Sequence, residues 1–323
     1  MIMDKSQIKR ILVITLSNVG DIILTTPVIA TLKREFPRAR VDVVVGPQGK
    51  DIFDKDPAVI KLMLYDKHSP LIQKRRLQLR LKKLKYDVVV DLKNSIFPLL
   101  IAPKYRTSAV PHFPTAVVHS MDKHLYRLKS LGIEELEKRP YVYIPAEDEE
   151  HVSRLLKIEG VLEPIVVVNA GAKSHLKRWT PEGFAEVCDR LADECKASIV
   201  MVGLKEDAGT VAAVTGKMKT GAFNFVGKTN IRQLASLLKR SALLITNDSA
   251  PLHLGCAVGA KVLAIFGPTD PKKYGPTGEF DAVVNKKLHC SPCEKAECRF
   301  NYECMKLISA DEVFDTAKMM VEG

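Results

Sequence analysis

The sequence predicts an α/β protein made of two doubly wound, Rossmann-like domains in tandem, facing each other across a cleft. Three observations carry this expectation. Short apolar runs rich in β-branched residues recur along the chain and read as buried strands. Residues 11–46 and 165–203 share one order of strand, loop, helix and strand, each closed by a glycine. Stretches of helical spacing separate the runs, so successive strands are joined by βαβ crossovers and lie parallel.

In chain order, ILVITL (11–16) is the first strand and SNVGD the turn after it. IILTTPVIATLKREFP reads as one helix, with Ile29, Leu32 and Phe36 at helical spacing, and VDVVVG (41–46) as the next strand. LIQKRRLQLRLKKLK (71–85) is a basic helix with seven Lys or Arg and a stripe of Leu77, Leu81 and Leu84. YDVVVDL (86–92) adds a strand. Prolines and an acidic run interrupt the pattern at PYVYIPAEDEE (140–150), which sets domains of 1–150 and 151–323. HVSRLLKIEG is then a short helix. IVVVNAG is a strand and turn, and TPEGFAEVCDRLADEC a helix capped by Thr180 with Pro181 at its first position. Its apolar stripe is Phe184, Val187, Cys188 and Leu191. SIVMVG, FNFVG, SALLIT and KVLAIFG are the remaining strands, and SADEVFDTAKMMVEG is a terminal helix capped by Ser309.

The 323 residues suit two domains. No apolar run approaches the roughly 20 residues of a membrane helix, and the N-terminal run is broken too early for a signal peptide. A cytoplasmic location is expected. The net charge of +11 favours anionic partners, whether nucleic acid, lipid surface or phosphorylated substrate. Cys188, Cys195 and Cys256 lie in apolar contexts and read as core. An odd cysteine count without a signal peptide argues against a disulfide framework.

Doubly wound sheets bind ligands at the carboxyl ends of their strands, so the loops there are the candidate sites. LSNVGDIILTTP (16–27) places Asp21 where a helix begins; it either supports that N-terminus or faces the cleft as a free carboxylate. NAGAKSHLKRWTP (169–181) holds Lys173, His175, Lys177, Arg178 and the single tryptophan, Trp179, and suits a diphosphate better than a merely solvated loop. TNDSAPLHLG (246–255) ends a strand and starts a helix that Asp248 or Ser249 caps, with Pro251 and His253 in its first turn. Free amides there make a ready phosphate site. FGPTDPKKYGPTG (266–278) is a long irregular turn that brings Thr269 and Asp270 to the same end. Neither GxGxxG nor GxxxxGK[ST] occurs, which removes the main support for nicotinamide or P-loop chemistry. Asp54-Lys55-Asp56 has the form of a D-x-D metal-binding signature but reads as a surface loop before Pro57.

Taken together, LSNVGDIILTTPVIATLKREFP, YDVVVDL, NAGAKSHLKRWTPEGFAEV, MVGLKED, TNDSAPLHLGCAVGAKVLAIFGPTDP and the clustered cysteines resemble, in order and over most of the chain, the bacterial heptosyltransferases of glycosyltransferase family 9. The resemblance implies the GT-B architecture, an N-terminal acceptor-binding domain and a C-terminal nucleotide-sugar domain. It implies inverting transfer of a heptose from ADP-heptose to the lipopolysaccharide inner core, with no cofactor and no required metal. It implies Asp21 as general base, Lys177 on the donor diphosphate and Glu206 on the adenosine ribose. It implies Asp248, Ser249, Ala250, Pro251 and His253 as the helix start that cradles the phosphates. Closing of the cleft is expected to bring base and clamp together. Many members carry glycine where this chain has Ala250 and proline where it has Asn169; a Cβ at 250 narrows the approach of a phosphate.

Residues 71–85 either pack their leucines on the core or hold an anionic membrane surface or acceptor, which sets the protein peripherally at the inner face of the inner membrane. Cys290, Cys293, Cys298 and Cys304 form a compact four-thiol set, open to structural packing, occasional disulfides or zinc, though not spaced as two CxxC knuckles. Two other functions compete: a related transferase using another nucleotide sugar and surface-polysaccharide acceptor, and a basic nucleic-acid-binding protein. Sparse aromatics at 6% and the lack of an RNA-binding signature weigh against the second, so no nucleic-acid partner is expected.

Overall fold

A computed structural model describes residues 3–16 and 18–323; Ser17 of the first loop lies outside the described residues. The chain divides into two compact units, Met1–Tyr143 and Ile144–Gly323. The division precedes the expected boundary at 150 because the acidic run is not a linker. It forms the first turn of a helix, Ala146–Glu159, where Glu147, Asp148 and Glu149 meet the positive end of the helix dipole. Asp148 is buried and paired with Arg232 at 2.7 Å, which ties this helix to the helix Ile231–Arg240 of the second unit.

The first unit contains strands β1 (Arg10–Thr15), β2 (Arg40–Val45), β3 (Lys61–Leu64), β4 (Val88–Asp91) and β5 (Tyr105–Arg106) among the described residues. They form one parallel sheet in the order β3-β2-β1-β4-β5. The second unit contains β6 (Ile165–Asn169), β7 (Ser198–Met201), β8 (Phe223–Asn224), β9 (Leu243–Asn247), β10 (Val262–Phe266) and β11 (Ala282–Asn285), again all parallel, in the order β11-β10-β9-β6-β7-β8. Both units are doubly wound. The chain leaves the first strand of each in one direction and later restarts on its other side, so the topological switch falls between β1 and β4 and between β6 and β9. The central strands β1, β6, β9 and β10 are buried along nearly their whole length, as continuous apolar runs in a doubly covered sheet require.

Sequence patterning missed β3, β5 and β11, which are short edge strands whose half-exposed residues lack a continuous apolar run. The first long helix is in fact two, Val19–Ile23 and Thr26–Glu35. The Thr25 and Thr26 hydroxyls bond back to the Ile22 and Ile23 carbonyls, and Pro27 has no N–H to carry the ladder through the break. Asp54 and Lys55 lie in an exposed turn, as expected, but Asp56 does not share that exposure. Asp56 is buried, accepting from the Tyr141 hydroxyl at 2.8 Å and from the Ala58 amide. Thr180 and Ser309 cap their helices as expected, each accepting an amide proton on its side-chain oxygen. No helix among the described residues is long and apolar enough to cross a membrane.

Candidate functional site

The second unit gathers its chemistry at the switch between β6 and β9. These strands are neighbours, with Asn169 opposite Thr246. Their carboxyl ends are held by two buried asparagines. Asn169 Nδ2 lies 3.0–3.1 Å from the Gly171 carbonyl, the Thr246 hydroxyl and the Ser249 hydroxyl. Asn247 accepts from the Trp179 amide at 3.0 Å and donates to the Ala170 carbonyl at 2.8 Å. The loop after β6 and the loop after β9 are thus fixed to each other by side-chain amides with no apolar substitute.

On that base Lys177 reaches Asp248: Nζ lies 2.6 Å from Oδ2. The same oxygen accepts from the Thr269 hydroxyl at 2.6 Å. The Asp248 side chain is 6% exposed and that of Lys177 30%, so the carboxylate is the buried anchor of the pair and the lysine its more exposed member. Three loops, after β6, β9 and β10, converge on this carboxylate. The helix Ala250–Val258 begins two residues beyond it, with Ser249 as the N-cap residue. The expected capping is corrected here. The Ser249 side chain makes no cap bond and turns instead to Asn169 and Thr246, while Asp248 is committed to Lys177 and Thr269. Ala250 and Pro251 are half-buried at the helix start, and His253 is buried in its first turn.

The rest of the basic loop divides. Arg178 bonds the Ala172 carbonyl at 2.9 Å, Lys173 and His175 are exposed, and the His175 ring packs edge-on to Tyr302. Trp179, expected to share the charged site, is a core residue. It is 3% exposed, packs edge-on to Phe184, and donates Nε1–H to the Ile308 carbonyl at 3.1 Å. Glu206 is exposed. Its neighbour Asp207, not singled out by sequence, is set against the ends of β6 and β7. Its carboxylate accepts the Leu204 amide at 2.9 Å, and a Cβ on Gly171 would come within 2.6 Å of it. In doubly wound sheets that bind dinucleotides an acid beyond the second strand meets a ribose hydroxyl; Glu206 and Asp207 both follow β7.

Of the four clustered cysteines, Cys293 and Cys304 lie against the start of the loop after β10. Among the described residues no three or more His, Cys, Asp or Glu side chains are arranged to hold a metal, and all seven cysteines are free thiols. Cys298 Sγ accepts the Phe300 and Tyr302 amides. Burial and the three neighbouring thiols push the Cys304 thiol up. A Cβ on Gly267 would meet Met305 and Cys304 sulfurs, while the Cys293 and Glu294 amides bond the Pro268 carbonyl. The cysteine segment therefore backs the loop that delivers Thr269 to Asp248.

In the first unit Asp21 sits in the first turn of Val19–Ile23, with Asn18 as N-cap residue and the Asp21 side chain 36% exposed. Its Oδ2 lies 3.8 Å from Lys93 Nζ, from the loop after β4. Sequence reasoning passed over this loop, although an acid at a strand end followed by Lys-Asn was the available signal. Asp91 is buried and accepts the Lys93 and Ser95 amides, and Arg127 bridges the Asp91 carbonyl and Asn94. Beside them His124 has a buried Nδ1 without a hydrogen-bond partner. Burial first, then the Lys93, Arg127 and His119 charges, push its pKa down to about 3.

The profile of glycosyltransferase family 9 (heptosyltransferase) matches residues 98–303. Lipopolysaccharide heptosyltransferase 3 of Escherichia coli is 26% identical over 276 residues, covering 78% of this chain and 81% of that protein. A glycosyl transferase family 9 structure from Veillonella parvula aligns with a TM-score of 0.85 at 24% identity, covering 97% of both chains. The E. coli ADP-heptose lipopolysaccharide heptosyltransferase II aligns at 0.77 and 19% identity, covering 97% of this chain and 98% of that one. At these identities the two structures speak to the fold, which is the two-domain GT-B type.

Proposed function

As a chain that belongs to glycosyltransferase family 9, the heptosyltransferases, this protein is a glycosyltransferase, and we propose that it moves a heptose from ADP-heptose to the inner core of lipopolysaccharide with inversion. The observation that carries the reading is the Lys177–Asp248 pair beside the start of Ala250–Val258, at the switch point of the second unit. Asp248 does not itself meet a phosphate, since two anions repel. It fixes Lys177, whose remaining donors and the amides of Ser249 and Ala250 at the helix start take the diphosphate; Pro251, without an N–H, shapes that turn, and His253 lies buried within it. Asp207, packed at the ends of β6 and β7 beside the exposed Glu206, takes the adenosine ribose.

In the transfer, an acceptor hydroxyl oxygen attacks the anomeric carbon on the face opposite ADP. The bond from that carbon to the phosphate oxygen breaks and its electron pair leaves with ADP. Asp21 takes the hydroxyl proton, a step worth about 10²–10⁴-fold. Lys177 and the helix amides stabilise the charge that grows on the leaving diphosphate. The protein acts on a lipid-anchored, anionic acceptor at the inner face of the inner membrane. A thermal-shift panel of nucleotides tests the donor: ADP is expected to stabilise the protein above UDP and GDP. Equal or stronger stabilisation by UDP or GDP would assign the site to a different nucleotide sugar.

A further inference from the structure

The helix Leu71–Lys83 has a composition and an exposure that the sheet does not need. It carries Lys74, Arg75, Arg76, Arg80, Lys82 and Lys83 and no acidic residue. Only Leu81 is buried, with Leu77 and Leu84 packed partly on the same cluster of Leu12, Val89, Phe97 and Ile101. The other apolar residues point away: Leu71 is 82% exposed, Ile72 62% and Leu79 51%. At 3.6 residues per turn Ile72, Arg75, Arg76, Leu79 and Lys83 follow one another along one outward stripe. The adjoining helix Phe97–Ile101 buries Phe97 and Ile101 in that cluster and leaves Leu99 exposed, with Ile96 exposed just before it.

We infer that this face of the first unit docks on an anionic lipid bilayer, with the arginines and lysines at the headgroups and Leu71, Ile72 and Leu79 in the acyl boundary. A solvated helix accounts for the charges but not for aliphatic side chains set outward among them. A nucleic-acid backbone would pair with the cations and leave those side chains in water, and the helix offers no aromatic for a base to stack on. A bilayer with acidic headgroups takes both. The contact stands independently of the sugar-transfer reading, and its test uses neither donor nor acceptor. Under that reading it has a consequence: Ile96 and Leu99 follow Lys93, the partner of Asp21, so the lipid face adjoins the proposed base.

The test is co-sedimentation of the full chain with vesicles of phosphatidylcholine, with and without phosphatidylglycerol, at low and high salt. Binding is expected only with phosphatidylglycerol and is expected to weaken with salt. Each basic residue at such a surface contributes about 1 kcal/mol, so the triple substitution Arg75→Gln, Arg76→Gln, Arg80→Gln is expected to weaken binding about a hundredfold. The pair Leu71→Ser, Ile72→Ser is expected to weaken it at least several-fold without lowering the melting temperature, since both positions are exposed. Absence of binding to acidic vesicles, or unchanged binding by both variants, would overturn the inference. So would oligonucleotide binding that is lost with the arginines while vesicle binding is retained.

Discussion

Lys177 and Asp248 meet at 2.6 Å from the ends of two neighbouring strands, and the carboxylate of that pair is the buried member. The arrangement makes Asp248 a holder of the cation. Lys177→Met and Asp248→Asn should each weaken ADP binding by about tenfold or more, as loss of a charge-assisted hydrogen bond predicts. The double variant should be little worse than either alone, with a coupling of about 1 kcal/mol or more. Calorimetric ADP affinities across the four proteins measure this, and strictly additive losses would separate the two residues.

Asp207 and Glu206 are adjacent, and only Asp207 is packed against the strand ends. Asp207→Asn keeps an oxygen for the Leu204 amide while removing the charge. It is expected to weaken ADP binding several-fold, whereas Glu206→Ala should change it little. The reverse result would return the ribose contact to Glu206.

Asp21→Asn should lower kcat by about 10²–10⁴-fold and leave ADP affinity unchanged, because the clamp lies in the other unit. Lys93→Met should cost no more than about fivefold in kcat, since an ion pair of 3.8 Å at this exposure contributes at most about 1 kcal/mol. Near-normal turnover by Asp21→Asn would take the base role from it.

How much of this was legible in the sequence follows from which forces leave a local pattern. Buried parallel strands are continuous apolar runs, so β1, β2, β4, β6, β7, β9 and β10 could be read directly, while edge strands such as β3 and β11 have no such run. The caps at Thr180 and Ser309 are local and were legible. The Asp248 bonds to Lys177 and Thr269 span 71 and 21 residues, and the partner choice of a strand-end acid cannot be read from spacing. Ser249 looked like a cap because Ser at that position usually is one; Asn169 and Thr246, brought close only by sheet pairing, take its hydroxyl instead. Trp179 lay beside charges in sequence but on the core side of the chain in space, where Ile308 supplies its acceptor.

His124 sets a pH dependence of stability. Its pKa falls to about 3 in the fold, below the ordinary value of 6.5, because burial and the Lys93, Arg127 and His119 charges all oppose its protonation. The unfolded chain takes up the proton near 6.5 and the folded chain does not until about 3. The advantage of neutral His124 is therefore fully present above 6.5 and is lost as the pH falls from there toward 3, by up to about 1.4 kcal/mol per pH unit. Other groups titrate over the same range, so the informative quantity is the difference between the wild type and His124→Gln, which holds no proton at any pH. Denaturant unfolding of both proteins from pH 7.5 to 4.5 should show the wild type losing stability relative to the variant below about 6.5. A difference that stays constant over that range would mean that His124 protonates as easily in the fold as out of it.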